Sequence, residues 1–133
     1  MLALLFPGQG SQAVGMGRDV YETSPAARSV FEAADAVLGM PLAKLCFEGP
    51  DEALLPTEVQ QPAILATSIA LLRALEERSG ALAAAYVAGH SLGEYSALVA
   101  AGALALEDAL RLVRARGCYM RDAVPPGRGA MAA

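Results

Sequence analysis

Apolar and polar positions along the chain fall into two patterns, short unbroken apolar runs and longer stretches with helical spacing. Leu2 to Phe6 is apolar throughout and stops at Pro7-Gly8; Leu82 to Ala88 is apolar and uncharged and stops at Gly89. Runs of this kind, bounded by glycine and proline, predict short buried strands of a parallel sheet. A third run, Gly129 to Ala133, predicts the start of another strand. Between the first two, Ser24-Pro25 is a helix N-cap followed by proline at the first helical position. Ala27, Val30, Phe31, Ala34, Val37 and Leu38 then recur on one face as far as Gly39. Pro41 to Phe47, and the stretch from Asp51 to just before Pro56, predict shorter helices. From Thr57 a long helix follows, with a Thr57…Gln60 capping-box pattern and an interior, AILATSIALL, that is apolar nearly all round and therefore buried on several sides. It turns polar at Arg73, Glu76, Glu77 and Arg78 and ends at Ser79-Gly80. A helix runs from Leu92 to Gly102, and a last one from Leu106 to Asp122, with Glu107 and Asp108 in its first turn.

Strands alternating with helices predict an α/β architecture, a parallel sheet flanked by helices. Its centre is LAAAYVAGHSLGEYSALVAA, Leu82 to Ala101, a strand, a sharp turn and a helix. Gly89-His90-Ser91-Leu92-Gly93 is a G-x-S-x-G nucleophile elbow in the strand-turn-helix context that the motif requires. The glycines two residues either side of Ser91 let a strained chain fold back, and Ser91 then projects from a strand end. The N–H groups opening the next helix favour negative charge there, which makes Leu92 N–H a candidate oxyanion donor. The same pattern also fits an ordinary strand-helix turn with Ser91 as an N-cap.

Two further features carry possible chemistry. The loop Pro7-Gly8-Gln9-Gly10-Ser11-Gln12 follows the first strand at its carboxyl end, where α/β proteins bind ligands, and its glycines leave the Gln9 N–H free to turn toward a neighbour; a plain polar loop has the same composition. Gly15-Met16-Gly17 carries that loop into a first helical turn. In the last helix, Ala109, Val113, Arg116 and Met120 share one stripe, while Arg111, Arg114 and Arg121 lie on a different, polar face. Arg116 cannot lose its charge, so it either meets an anion from the protein or a ligand, or snorkels past the core edge.

Composition narrows the classes. With 133 residues, 55% of them hydrophobic, the chain has the length of one ordinary domain and ample material for a core. A net charge of -4 and a single lysine, Lys44, give no basic patch for nucleic acid or an anionic membrane. One histidine and two separated cysteines, Cys46 and Cys118, predict neither a metal site nor a disulfide framework, and point to a reducing compartment. No stretch reads as a targeting signal or a membrane-spanning helix.

Taken together, MLALLFPGQGSQAVGMG at the start, AGHSLGEYSALVAAGAL at the centre and LVRARGCYMRDAVPPGRGAMAA at the end closely resemble the malonyl-CoA:acyl carrier protein transacylases of bacterial fatty-acid synthesis, and more broadly the acyltransferase domains of polyketide synthases. The resemblance implies an α/β-hydrolase-like sheet in a cytoplasmic enzyme with no bound cofactor. It implies ping-pong transfer of malonyl from coenzyme A, through an ester on Ser91, to the thiol of acyl carrier protein. It places the oxyanion donors at the Gln9 and Leu92 N–H groups, the malonyl carboxylate on Arg116, and Gln61 and Met120 beside the acyl pocket. The family's general base is a histidine from the second half of a longer chain. His90, the only histidine here, leaves the elbow in another direction and is expected to pack and hydrogen-bond within the site, beside the acyl pocket with Gln61 and Met120. The family inserts a small ferredoxin-like subdomain where GAMAA begins, which divides the chain into residues 1–128 of the large subdomain and 129–133 of the small one. The resulting expectation is an N-terminal part with an incomplete, partly open sheet, weak or inactive alone, prone to associate, and partnered by the C-terminal part of the same enzyme. Methylmalonyl is an open alternative as donor. Rival classes are a serine esterase of the α/β-hydrolase type and a non-catalytic interaction module.

Overall fold

The structure is a computed structural model and describes residues 1–124 and Gly129. The strand expected over residues 129–133 lies outside the described residues apart from Gly129. In chain order the elements are β1 (Leu2–Phe6), α1 (Arg18–Thr23), α2 (Pro25–Leu38), α3 (Leu42–Glu48), α4 (Asp51–Leu54), α5 (Thr57–Ser79), β2 (Ala84–Gly89), α6 (Gly93–Ala100) and α7 (Leu106–Ala123). This is the expected α/β arrangement, with a small parallel sheet of β1 and β2 in which Phe6 lies opposite Gly89 and Leu5 opposite Ala88. The second strand begins at Ala84 rather than Leu82, because the Ala84 N–H turns back to the Leu82 carbonyl at 2.9 Å and Leu82 is spent in a tight turn.

Six helices fall close to the positions that the sequence predicts, α2 to α7. Ser24 caps α2 by accepting from the Ala27 N–H at 3.1 Å, and Gly39 closes it in the left-handed conformation. α1 follows the Gly15–Gly17 turn as a short helix that spacing alone does not mark. Tyr21 and Phe47 each meet Phe31 edge to face and tilt against each other, with ring centroids 4.9 to 5.9 Å apart, and the three rings tie α1, α2 and α3 together.

α5 is the central helix, and Ala63, Leu65, Ala66 and Ala70 on it are 0% exposed. The capping box expected at its start does not form. Pro56 occupies the cap position, Thr57 is already helical, and the Thr57 hydroxyl is engaged by other side chains. Cys46 and Cys118 are both free thiols, and burial pushes the Cys46 thiol up to about 12. Among the described residues no helix is long and apolar enough to cross a membrane.

The strands, predicted as buried, are largely open. Phe6 is buried, but Leu5 is 77% and Tyr86 65% exposed, since the sheet has two strands and each has an unpaired edge among the described residues. The helical layers hold the core; the sheet lies at its margin.

Candidate active site

The elbow at the end of β2 forms as the motif requires. Ser91 has φ 54°, the only positive φ at a non-glycine residue in the described backbone, a strain of about 1–3 kcal/mol that surrounding packing must hold. The glycines beside it are dictated by contact. A Cβ on Gly89 would lie 1.9 Å from the Gly93 carbonyl oxygen, and one on Gly93 would lie 2.5 Å from that of Phe6. The elbow is therefore pressed directly against the end of β1. Ser91 does not cap α6 with its side chain; its main-chain carbonyl accepts from Glu94 at 3.2 Å, and the hydroxyl is left for other partners.

The Gln9 loop is fixed at two adjacent residues, Gly8 and Gln9. A Cβ on Gly8 would lie 2.6 Å from His90 Nδ1, so the loop runs against the elbow, while the Gln9 amide nitrogen donates to Thr57 Oγ1 at 2.8 Å and to Gln60 Oε1 at 2.7 Å. Among the described residues neither the Gln9 nor the Leu92 backbone N–H has a hydrogen-bond acceptor. Leu92 is fully buried.

α7 crosses the first turns of α5, and the crossing is organised around Glu58. A Cβ on Gly117 would lie 2.4 Å from the Glu58 Cα, which brings the two backbones close together. Pro62, inside α5, has no N–H to give the Glu58 carbonyl four residues earlier, and Arg114 Nη1 donates to that carbonyl instead at 2.6 Å. Arg121 Nη1 reaches the Glu58 carboxylate at 2.8 Å. Arg114 and Arg121 therefore do not lie on a purely solvent-facing surface, as spacing suggests; both pair with α5, although Arg121 also holds the exposed Asp122, and Arg111 pairs with the exposed Asp108. Burial pushes the Glu58 carboxyl up. That is outweighed by its own backbone N–H, the Arg121 hydrogen bond and the nearby Arg121 and Arg114 charges, which hold it below the ordinary carboxylate range.

The same crossing delivers Arg116 to Ser91. Arg116 Nη2 donates to Ser91 Oγ at 2.8 Å and Nη1 to Gln61 Oε1 at 2.6 Å. The Gln61 amide nitrogen completes its set with Thr57 Oγ1 at 2.9 Å and Met120 Sδ at 3.3 Å, and Gln61 is 0% exposed. So Ser91, Arg116, Gln61 and Met120 come together, with Gln9 joined to them through Thr57. Arg116 neither snorkels free nor finds a carboxylate: among the described residues no salt bridge includes it. A half-buried guanidinium with only neutral partners, set on a serine hydroxyl, can receive an anion there.

His90 departs from expectation. It is exposed and its side chain makes no hydrogen bond to a described residue, because the elbow turns it away from Ser91 and over Gly8. Sequence reasoning read Thr57 and Gln60 only as a capping box and passed over Gly117. Pro62 is the one readable clue to that crossing, since it frees a carbonyl that some donor must meet.

The family described as "Acyl transferase domain" matches residues 3–133. The malonyl CoA-acyl carrier protein transacylase of Bacillus subtilis (strain 168) is 56% identical over 132 residues, 99% of this chain and 41% of that protein. The crystal structure of an acyl carrier protein S-malonyltransferase from Vibrio cholerae superposes with a TM-score of 0.88 at 48% identity, over 94% of this chain and 40% of that one. A type II PKS acyl-carrier protein in complex with its malonyl-transacylase gives a TM-score of 0.88 at 47% identity, over 94% of this chain and 40% of that one. The chain thus spans about two-fifths of the length of these relatives.

Proposed function

The chain belongs to the acyl transferase domain family, and from that membership we propose that the protein moves a malonyl group from coenzyme A to the phosphopantetheine thiol of acyl carrier protein by way of an ester on Ser91. The observation that carries this reading is the 2.8 Å hydrogen bond from Arg116 to Ser91. A guanidinium at the nucleophile selects an acyl group that ends in a carboxylate, and its planar fork suits one. Ser91 Oγ attacks the thioester carbonyl and gives its proton to a base. The oxyanion faces the Gln9 and Leu92 N–H groups, and the carbon–sulfur bond breaks as coenzyme A leaves and takes up the proton. The carrier-protein thiol then attacks the ester, and Ser91 recovers a proton. Gln61 and Met120 bound the acyl group beside Arg116, in an α/β-hydrolase-like sheet.

The base in this reading is a histidine supplied from outside these 133 residues, on the same polypeptide or a complementary one, since His90 faces Gly8 and the hydroxyl's hydrogen-bond partner is a cation. Alone, the 133 residues are expected to acylate slowly or not at all. A serine esterase would share the elbow, but a guanidinium held on the nucleophile gives it no advantage with neutral esters. Intact mass after brief exposure to malonyl-CoA tests the proposal. The protein at its natural length should gain one malonyl group and its Ser91→Ala variant none; an adduct that persists in the mutant, or faster turnover of simple esters than of malonyl thioester, would sink it.

A further inference from the structure

Thr57, the first residue of α5, lies between the two halves of the site and makes no hydrogen bond to Ser91. Its hydroxyl oxygen accepts from Gln9 at 2.8 Å and from Gln61 at 2.9 Å. The direction of these bonds is set from the far end. Arg116 can only donate, so the Gln61 amide oxygen must face it, as it does at 2.6 Å. The Gln61 nitrogen is thereby turned toward Thr57, and Thr57 must accept. A hydroxyl oxygen has room for two donors, and Gln9 takes the second place. One atom thus ties the loop before α1 to the guanidinium on α7.

We propose that Thr57 is a positioning residue that holds the Gln9 oxyanion loop and the Arg116 guanidinium in fixed relation across Ser91. This rests on the roles proposed above for Gln9, Ser91 and Arg116. Without the oxygen, the Gln61 nitrogen loses a partner at a position that water does not reach. Gln61 is then free to turn, Arg116 loses its register, and Gln9 keeps only Gln60. Both transition-state stabilisation and acyl selectivity weaken together, although Thr57 touches neither reacting atom.

The test compares Thr57→Val, Thr57→Ala and Thr57→Ser in the protein at its natural length, by single-turnover acylation with malonyl-CoA and with acetyl-CoA. Removing such a supporting hydrogen bond should slow malonyl acylation roughly 10- to 100-fold. The malonyl-to-acetyl ratio should fall as well, and Thr57→Ser should recover most of both. Wild-type rates in Thr57→Val, an equal loss for both donors, or a loss that serine does not recover would overturn the proposal. Circular dichroism checks the fold, and should the valine variant fail to fold, the alanine variant decides, alanine being the better helix former. Phenylglyoxal modification of the Arg116 peptide, read by mass, needs no turnover. It should be slow in wild type and Thr57→Ser and faster in Thr57→Val, and equal rates would count against Thr57 even if no malonyl adduct forms. Absence of the wild-type adduct would instead refute the proposed function.

Discussion

The α5–α7 crossing and the β1–β2 sheet meet at Ser91 and are built in opposite ways. At the crossing Leu65, Leu110, Val113 and Gln61 are 0% exposed, the polar groups Gln9, Thr57, Gln61 and Arg116 are linked by hydrogen bonds, and Glu58 is held separately by Arg114 and Arg121. In the sheet Leu5 is 77% exposed, and a groove of about 500 Å³ runs between β1 and α5, lined by Leu4, Leu5, Leu71 and Leu75. The difference separates two tasks. Fixed charge and fixed hydrogen-bond direction need a dry, tightly packed support, which the helices supply. Aiming a serine hydroxyl needs only one strand end and a turn, which the two strands among the described residues provide.

The contrast is most severely tested where backbone meets backbone. Gly89→Ala puts a methyl group 1.9 Å from a carbonyl oxygen of the elbow, and the expected cost is about 3 kcal/mol or more in urea unfolding. Wild-type stability in that variant would mean that the elbow is looser than its glycines require. Next in size is Arg116→Ala. Hydrogen bonds to a charged group contribute about 1.5–3 kcal/mol, so malonyl acylation should fall roughly 10- to 100-fold while acetyl acylation is spared. Arg116→Lys should recover little of it, because an ammonium cannot reproduce the fork. Equal losses with both donors would remove Arg116 from carboxylate binding.

Strand, elbow and Arg116 were legible in the sequence because each is written in a local rule: an apolar run, glycines two residues either side of a serine, a charge on an apolar stripe. The placement of α2 to α7 was legible for the same reason. Thr57 was misread because its capping-box spacing is a local pattern, while its partners, Gln9 and Gln61, are chosen by tertiary packing. Arg114 and Arg121 look solvated on a helical wheel, and only the approach of Gly117 to Glu58 gives them partners on α5, with Arg121 still exposed. His90 was expected to bond within the site, and the turn that exposes Ser91 swings it outward. The exposure of the strands was legible only through strand count, since apolar runs carry no record of what covers them.

A smaller effect tests whether the crossing is electrostatically tight. The folded-state Glu58 carboxyl is held below its ordinary range, so the unfolded chain binds that proton more readily. Its contribution is complete above the unfolded value and is lost as pH falls through the folded one. Urea midpoints measured from about pH 6 down to about pH 3 should therefore drop more steeply for wild type than for Glu58→Gln. Parallel curves would mean that Arg114 and Arg121 lend that carboxylate nothing.

The smallest expected effect is on the sheet, and it decides whether the two regions differ at all. Leu5→Lys and Tyr86→Ser alter side chains that are 77% and 65% exposed, so unfolding free energy should stay within about 0.5 kcal/mol of wild type. Their consequence belongs to the surface: an apolar strand with an unpaired edge invites another chain, and a lysine there discourages it. Size-exclusion chromatography of the 133-residue chain should show less association for Leu5→Lys at equal stability. A loss as large as that of Gly89→Ala would show that Leu5 is covered in solution. The sheet would then be part of the core, and the helices would no longer be the sole support of the site.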